Sequence, residues 1–402
     1  MARVLEHHSK QLLRDRGIVV PHGEEAASPE AAEEGAARLG EVFVKALVPA
    51  NRRARAGGVR IAKDPVEAGR AAAALLGSSV AGHEVRSVLV EEALTLEREL
   101  FLSLVVDKDR KHPVALAGAH GGVDIEETVD RSPGALHTLP LDPRSRPLPH
   151  SFRELWAAAG LGGPELLAAS TLSHKAAAVF YDTDAQLLEL NPLGLVRAED
   201  GTLGAVAVGV VLEVDDAALP RQPEVAAIAL VGADSARPRT PREEEALAVA
   251  AFEPYRGTAR FLELEGDIGL LCGGGGGSLA FYEAVRSAGG RPACLTELGG
   301  NPSAEKVRRL AHVVLSCPGV QGLLVGHNIT NNTQIDLVAE GVVAALRERG
   351  LDPHEFPVVA REVGTHDQIG REILERAGVE YLGEGSSIGE AAVRIVERVG
   401  AA

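Results

Sequence analysis

The sequence predicts a two-part protein, a mixed α+β part followed by a doubly wound α/β part with a parallel sheet. Three observations carry this. Beyond residue 268, apolar runs at 268–272, 292–295, 322–325, 357–360 and 380–382 alternate with helical patterns at 278–288, 303–316, 334–349 and 368–377 and from 387. Strands alternating with helices at this spacing build parallel sheets, whose ligands bind at the carboxyl ends of the strands. Before residue 232, by contrast, strands pair as hairpins around a basic, glycine-containing loop, with helices to one side, as in nucleotide-binding α+β proteins. Between the two parts, residues 232–245 turn rich in proline, arginine and acids, the composition of a surface linker. The expected division is 1–235, a linker at 236–248, and 249–402.

Composition limits the function. A chain of 402 residues is too long for one core, and 45% hydrophobic with 24% charged residues and 45 glycines suits an α/β protein with many tight turns. Lys plus Arg at 41 against Asp plus Glu at 57 leaves −16, which argues against non-specific binding to nucleic acid or an anionic membrane. A phosphorylated ligand would then need local positive pockets. Cys272, Cys294 and Cys317 are scattered and lack metal spacing, pointing to a reduced compartment. No signal peptide or membrane-length apolar run is evident, so a cytoplasmic protein is expected.

Taken in order, residues 5–16 read as a helix closed by Gly17, and 26–39 as a second, alanine-rich helix. The apolar run 42–48 reads as a strand carrying Lys45, either an edge residue or a ligand-facing charge, since burying an unpaired ammonium costs several kcal/mol. Residues 51–60, with Arg52, Arg53 and Arg55 beside Gly57 and Gly58, form a basic loop. Strands at 86–106 bracket an acidic turn with Glu91, Glu92, Glu97 and Glu99, and a second hairpin ends in His120-Gly121-Gly122. Helices follow at 151–161 and 164–180, then a strand through Asn191 and a hairpin at 199–201.

The strand ending Glu189-Leu190-Asn191-Pro192 places an acid and an amide on one face, and proline ends its ladder. These are hard oxygen ligands of the kind magnesium and nucleotide phosphates require, or else a strand that simply ends in polar residues. The glycine run 273–277 sits between a strand and a helix, where backbone amides and the helix dipole favour an anion, or it is a tight turn. It lacks the Lys-Ser or Lys-Thr pair of a Walker loop. The loop 326–333 is crowded with neutral donors suited to a carboxylate, or to capping the next helix, and Arg361 adds a guanidinium at the same sheet edge. His120, alone in a turn, reads as structural or solvated and not as a phosphate carrier.

Together these segments resemble the beta subunit of succinyl-CoA synthetase and the matching amino-terminal part of ATP-citrate lyase, over essentially the whole chain. The opening Glu6-His7-His8-Ser9-Lys10-Gln11 is similar to the family's amino-terminal signature, as is the segment 120–127 to its Gly-Gly-Val-Asp/Glu-Ile-Glu run, where His120 does not occupy the phosphohistidine position. The resemblance implies an ATP-grasp domain followed by a flavodoxin-like domain, and a beta-type subunit of an ADP-forming acid-CoA ligase. Such a ligase uses ATP, magnesium and coenzyme A, through an acyl phosphate and a phosphohistidine. That histidine and most of the coenzyme A site would lie on an alpha-type partner. It further implies Lys45 as the ATP-phosphate lysine, with Arg53, Arg55, Gly57 and Gly58 in the phosphate loop. Glu91, Leu94 and Glu99 would stand on the adenine and ribose side, Asn191 would ligate magnesium, and Glu189 would lie near the migrating phosphoryl group.

Two departures stand out. The family places a second magnesium ligand, an aspartate, on the strand returning after Asn191, whereas residues 203–211 hold no acid before Glu213. The basic loop also replaces a Gly-Arg-Gly-Lys pattern with Arg52-Arg53-Ala54-Arg55. The carboxy-terminal loops lean toward ATP-citrate lyase, which implies that Asn301, Ser303, Asn331, Thr333 and Arg361, near Gly274, Gly275 and Gly276, hold a di- or tricarboxylic acid. Activation of a citrate-like, malate-like or succinate acid is the leading expectation. The alternatives are transfer of the acyl phosphate to an amine, and a catalytically weakened binding or regulatory subunit.

Overall fold

A computed structural model describes residues 1–50, 53–122, 133–231 and 239–401. Asn51 and Arg52, the 123–127 segment and residues 236–238 of the expected linker lie outside the described residues. The chain divides into two compact units, Met1–Pro238 and Arg239–Ala402.

In the first unit, β1 (Ala2–Val4), α1 (Glu6–Asp15), β2 (Gly23–Ala26), α2 (Pro29–Leu39), β3 (Val42–Ala46), β4 (Val59–Ala62), α3 (Pro65–Leu75) and β5 (Val88–Glu92) come first. Both α2 and α3 start where a side chain caps and a proline follows. Ser28 accepts from the Ala31 amide and Asp64 from that of Glu67, which satisfies an amide the first turn cannot. The strands pair antiparallel in the order β2-β5-β3-β4. Val42, Val44, Ala46, Val88 and Val90 face α2 and α3, so alternation turns Phe43, Lys45, Leu89 and Glu91 to the opposite face.

The remaining elements are β6 (Arg98–Asp107), β7 (His112–Gly118), β8 (Leu136–Pro140), α4 (Pro149–Ala158), α5 (Gly163–Asp182), β9 (Ala185–Arg197), β10 (Leu203–Ala207), β11 (Val210–Val214) and β12 (Ala229–Val231). They join β1 in an eight-stranded sheet of order β8-β7-β6-β9-β11-β1-β12, with β10 paired to β9. Leu100, Leu102, Leu104, Leu188, Leu190 and Leu212 face the core with Trp156 and Phe152 of α4 and Leu172 of α5. Helix α1 packs against strands of both sheets, β2 and β11.

The second unit holds α6 (Pro241–Ala251), β13 (Thr258–Glu263), β14 (Ile268–Cys272), α7 (Gly276–Ser287), β15 (Cys294–Gly299), α8 (Ala304–Leu315), β16 (Gly322–Gly326), α9 (Ile335–Glu348), β17 (Val358–Arg361), α10 (Asp367–Arg376), β18 (Glu380–Leu382) and α11 (Ile388–Ala401). A parallel ladder runs β14-β16-β17-β18. Parallel bridges Ile268 to Pro292 and Gly273 to Leu298 set β15 beside β14. Between these two strands the Thr296 hydroxyl accepts from the Cys272 amide and donates to the Leu270 carbonyl, both at 2.9 Å. Strand β13 adds an antiparallel edge on β15. Apart from that edge the order is 2-1-3-4-5, with its switch point between β14 and β16.

Two expectations need correction. Residues 241–248 are not linker but the start of α6, because Thr240-Pro241-Arg242-Glu243 is a complete capping box: Thr240 accepts from the Glu243 amide at 3.3 Å, and the Glu243 carboxylate accepts from the Thr240 amide at 2.9 Å. The strand at β13 was not expected, since Leu262 and Glu263 reverse the polar-apolar alternation of residues 258–261, putting an apolar side chain on the exposed face and an acid on the covered one. No described helix is long and apolar enough to cross a membrane.

Candidate functional site

The inner face of the four-stranded sheet holds a buried ionic cluster. Lys45 of β3 donates to Glu91 of β5 at 2.5 Å and to Glu6 of α1 at 3.3 Å. Lys10, one turn along α1 from Glu6, bonds Glu6 at 2.8 Å and reaches the other oxygen of Glu91. Arg53 bonds the second oxygen of Glu6 and donates to the Ala46 carbonyl at 3.0 Å. Burial would raise the Glu6 carboxyl, but Lys10, Lys45 and Arg53 hold it well below the usual carboxylate range. Burial likewise opposes the charge on Lys45, and Glu6 and Glu91 outweigh it so that its pKa rises. Lys10 faces the same two acids with Lys45 as a like neighbour, and there burial wins and lowers it.

Arg55 stands exposed on the turn 53–58, which is closed by bonds from the Gly57 amide to Ala54 at 3.1 Å and from the Gly58 amide to Arg53 at 2.8 Å. Glu91, expected beside the adenine, is 1% exposed, and both its carboxylate oxygens are taken by lysines. Leu94 is half-buried on the segment after β5.

A second cluster lies on the eight-stranded sheet. Register puts Arg3, Ser103, Glu189 and Glu213 on the face away from the helices, with Asn191 following Glu189 at the strand irregularity between Leu190 and Leu193. The Asn191–Pro192 peptide is cis. Asn191 Oδ1 accepts from the Gly122 amide at 2.7 Å, and the Glu99 carbonyl accepts from that of Gly121 at 2.9 Å, so Asn191 and Glu99 meet around one glycine pair. Arg3 is paired with Glu213 at 2.5 Å. Burial lowers the Arg3 guanidinium; Glu213 and Glu189 counter this, and the like charge of Arg53 adds to it. Arg53, paired with Glu6, thus also lies close enough to Arg3 for their like charges to repel.

In the second unit, the expected acid-binding residues gather at the strand ends. Gly274, Gly275 and Gly276 follow β14 and lead into α7. Asn301 follows β15 with a left-handed φ of 60°; its amide donates to the Thr333 hydroxyl at 3.4 Å and its Oδ1 accepts from Gln334 at 3.2 Å. The Asn331 carbonyl accepts from the Thr365 hydroxyl at 2.6 Å, and Asn331 itself is exposed. Ser303 caps α8 through the Lys306 amide at 3.2 Å and donates to the Glu253 carboxylate at 2.5 Å. Arg361, at the end of β17, donates through Nη1 to the carbonyls of His327 at 2.9 Å and Asn328 at 2.7 Å, and through Nε to that of Ser386 at 3.1 Å. Among the described residues these bonds engage Nε and Nη1 of the guanidinium and not Nη2. The 326–333 loop is not a set of neutral donors alone, because His327 is buried against Glu362.

The succinate–CoA ligase [ADP-forming] subunit beta of Rubrobacter xylanophilus is 36% identical over 394 residues, covering 98% of this chain and 97% of that one. The chain belongs to this family. The corresponding beta subunit of Ignicoccus hospitalis is 35% identical over 98% of this chain and 99% of its own. An ATP-grasp domain family matches residues 3–195, and an ATP citrate lyase citrate-binding family matches 244–382. The structure of ATP citrate lyase from Methanothrix soehngenii in complex with citrate and coenzyme A superposes with a TM-score of 0.73 at 18% identity, over 98% of this chain and 99% of that one, and so shares the fold.

For this succinate–CoA ligase family member, the donors around Asn191 test the fit of magnesium. Glu189 offers a carboxylate, and Asn191 Oδ1 keeps a second lone pair beside its bond from Gly122. Residues 203–211 bring no acid, and Glu213 is committed to Arg3. Among the described residues no group of three or more His, Cys, Asp or Glu could hold a metal ion by itself. These donors fit magnesium held mainly by nucleotide phosphates and water, and do not fit a protein cage. The sequence reading gave no role to Glu6, Lys10, Arg3, Glu213, His327 or Glu362. The Glu6 to Lys10 spacing of four, one helical turn, was the available signal for the first pair.

Proposed function

We propose that this chain is the nucleotide-binding subunit of an ADP-forming acid-CoA ligase whose acid is a di- or tricarboxylate of the succinate, malate or citrate type. The observation that carries the reading is the cluster of Lys45, Lys10 and Arg53, which sets three cations against the carboxylates of Glu6 and Glu91, with Arg53 also near Arg3 on the face that carries Glu189. A net positive, preorganised cluster suits the phosphates of ATP, where positioning and charge neutralisation do most of the catalysis. Lys45 and Arg53 bind and orient the phosphates, and Glu6 and Glu91 fix the lysines so that little reorganisation accompanies transfer. When bound, magnesium supplies further neutralisation of phosphate charge, with Asn191 and Glu189 as the residues that would hold it.

In the overall reaction the γ-phosphoryl leaves ATP as ADP forms, the acid carboxylate takes it up as an acyl phosphate, and the thiol of coenzyme A displaces inorganic phosphate to give the acyl-CoA. An alpha-type partner supplies the phosphohistidine that carries the phosphoryl group between the sites, and the assembly works in the cytoplasm. Asn301, Thr333 and the Nη2 group of Arg361 receive the carboxylates. The experiment is co-expression with the alpha-type chain of the same genome and measurement of ADP release with succinate, malate or citrate plus coenzyme A. ADP release that depends on one acid and on coenzyme A is the expected result. No acid-dependent ADP release with any of the three overturns the reading, and acid-dependent release that needs hydroxylamine or an amine in place of coenzyme A replaces it.

A further inference from the structure

His327 follows β16 at the switch point of the second unit's sheet and is 3% exposed. Both of its ring nitrogens face acceptors. Nδ1 lies 2.9 Å from each carboxylate oxygen of Glu362, and Nε2 lies 3.0 Å from the Leu298 carbonyl. A neutral imidazole has one N–H and one lone pair, so either tautomer would aim a lone pair at an oxygen. Only the imidazolium satisfies both contacts, and Glu362, 0% exposed, supplies its counter-charge. Burial works against that charge, but the attraction and hydrogen bond of Glu362 and the Leu298 carbonyl outweigh it and raise the pKa above the ordinary 6.5.

The pair ties together three strand ends. Leu298 lies in β15, His327 follows β16, and Glu362 follows Arg361 at the end of β17. Arg361 in turn grips the His327 and Asn328 carbonyls, which start the loop carrying Asn331 and Thr333. On the β14 side a Cβ at Gly273 would sit 2.5 Å from the imidazole Cδ2, so the ring is seated against bare backbone. We infer that His327 and Glu362 are a charged positioning pair that sets Arg361 and the 326–333 loop for the carboxylate substrate, so that affinity for the acid, and not for ATP, follows the charge of His327. This rests on the assignment of these loops to the acid.

Among the described residues, Arg361, Cys272 and Tyr381 are ionisable groups that interact with the pair. Burial, and then Glu362, push the Cys272 thiol well up from 9.0. The Tyr381 hydroxyl donates to the Glu362 carbonyl at 2.5 Å and is pushed up to about 12 by burial, Asp367 and Glu362, against Arg371 and Arg361. A histidine whose folded pKa is raised keeps its full contribution below 6.5 and loses it as pH rises through the higher folded value. The KM for the acid should therefore be flat below pH 6.5 and climb as pH rises through the raised folded value.

The test uses the full chain with its alpha-type partner and measures KM for ATP and for whichever of succinate, malate or citrate supports turnover. His327→Gln is expected to raise the acid KM at least about tenfold while the ATP KM stays within about twofold. The double variant His327→Gln with Glu362→Gln restores an uncharged hydrogen-bonded pair, so it should recover part of the acid KM and lose the climb with pH. Histidine-selective ¹⁵N spectra of the full chain should show both ring N–H groups of His327 below pH 6.5. A neutral imidazole there, an unchanged acid KM in His327→Gln, or a climb with pH that persists in the double variant each overturn the proposal. Arg361→Ala separates the two readings. If it raises the acid KM and His327→Gln does not, the pair alone is refuted; if it leaves the acid KM unchanged, the loops are not the acid site and both readings fall.

Discussion

A lysine buried inside a protein is stable only if its charge is answered, and Lys45 is answered by residues 39 and 46 positions away. The sequence left Lys45 readable as an edge residue or a ligand-facing charge and its partners not at all, because no local period connects Glu6 or Glu91 to it. The cluster counts three cations, Lys10, Lys45 and Arg53, against two anions, Glu6 and Glu91. Replacing a cation leaves it balanced, whereas replacing an anion leaves three cations around one carboxylate. Glu6→Gln should therefore destabilise the first unit by about 3–5 kcal/mol, the cost of breaking a buried pair from one side, and Lys10→Met by clearly less. Urea unfolding at neutral pH measures both, and equal losses would refute the charge count. The acid limb gives a second reading. A carboxyl held well below 4.5 stabilises fully above that value and loses its contribution only as pH falls through the lower folded pKa. The parent should keep this increment at pH 4.5, and Glu6→Gln should show a correspondingly smaller acid-induced loss.

At the scale of elements, the strand β9 shows how an irregularity is put to use. The apolar run and terminal proline announced a strand ending near Pro192, yet β9 continues to Arg197, because the register with β6 slips between Leu190 and Leu193 and pairing resumes beyond it. The slip sits where the Asn191 side chain meets the Gly122 amide, so the strand presents Asn191 in mid-length. Proline read from sequence alone marks an end; only the partner strand tells whether pairing resumes. The same limit hid β13, whose partner β15 lies further along the chain, and α6, whose capping box was overshadowed by the composition around it. Gly209 closes the β9 irregularity from β11's side: the Asn191 amide donates to its carbonyl at 2.9 Å, and a Cβ on it would stand 2.0 Å from the Asn191 carbonyl oxygen. Gly209→Ala must push Asn191 aside. We expect magnesium-ATP affinity, measured by calorimetry, to fall at least about tenfold with the fold retained, as displacement of a positioning backbone predicts. Unchanged affinity would mean that Asn191 does not bear on the nucleotide.

On the scale of the whole molecule, the division into a hairpin-rich first part and an alternating second part was readable because each obeys a different period, and periodicity is a local property. What the sequence could not supply is which polar side chains meet, since those contacts follow from packing across elements. The two units have separate cores: one cluster runs from Ala246 to Ile395, and the other two lie between Ala2 and Val225. Each unit exceeds the size at which a single core is self-sufficient. Residues 1–238 and 239–402, expressed separately, should therefore each unfold in one cooperative transition by calorimetry. Fragment 1–238 holds Lys45, Lys10, Arg53, Glu189 and Asn191 and should keep magnesium-ATP affinity within about threefold of the full chain, a shift smaller than 1 kcal/mol. Fragment 239–402 holds Asn301, Thr333, Arg361 and the His327 pair and should bind no nucleotide. A fragment 239–402 that binds hydrophobic dye and lacks a near-ultraviolet signal would show that its core is incomplete without the first unit, and a fragment 1–238 that folds but loses ATP would place part of the nucleotide site outside the residues assigned to it.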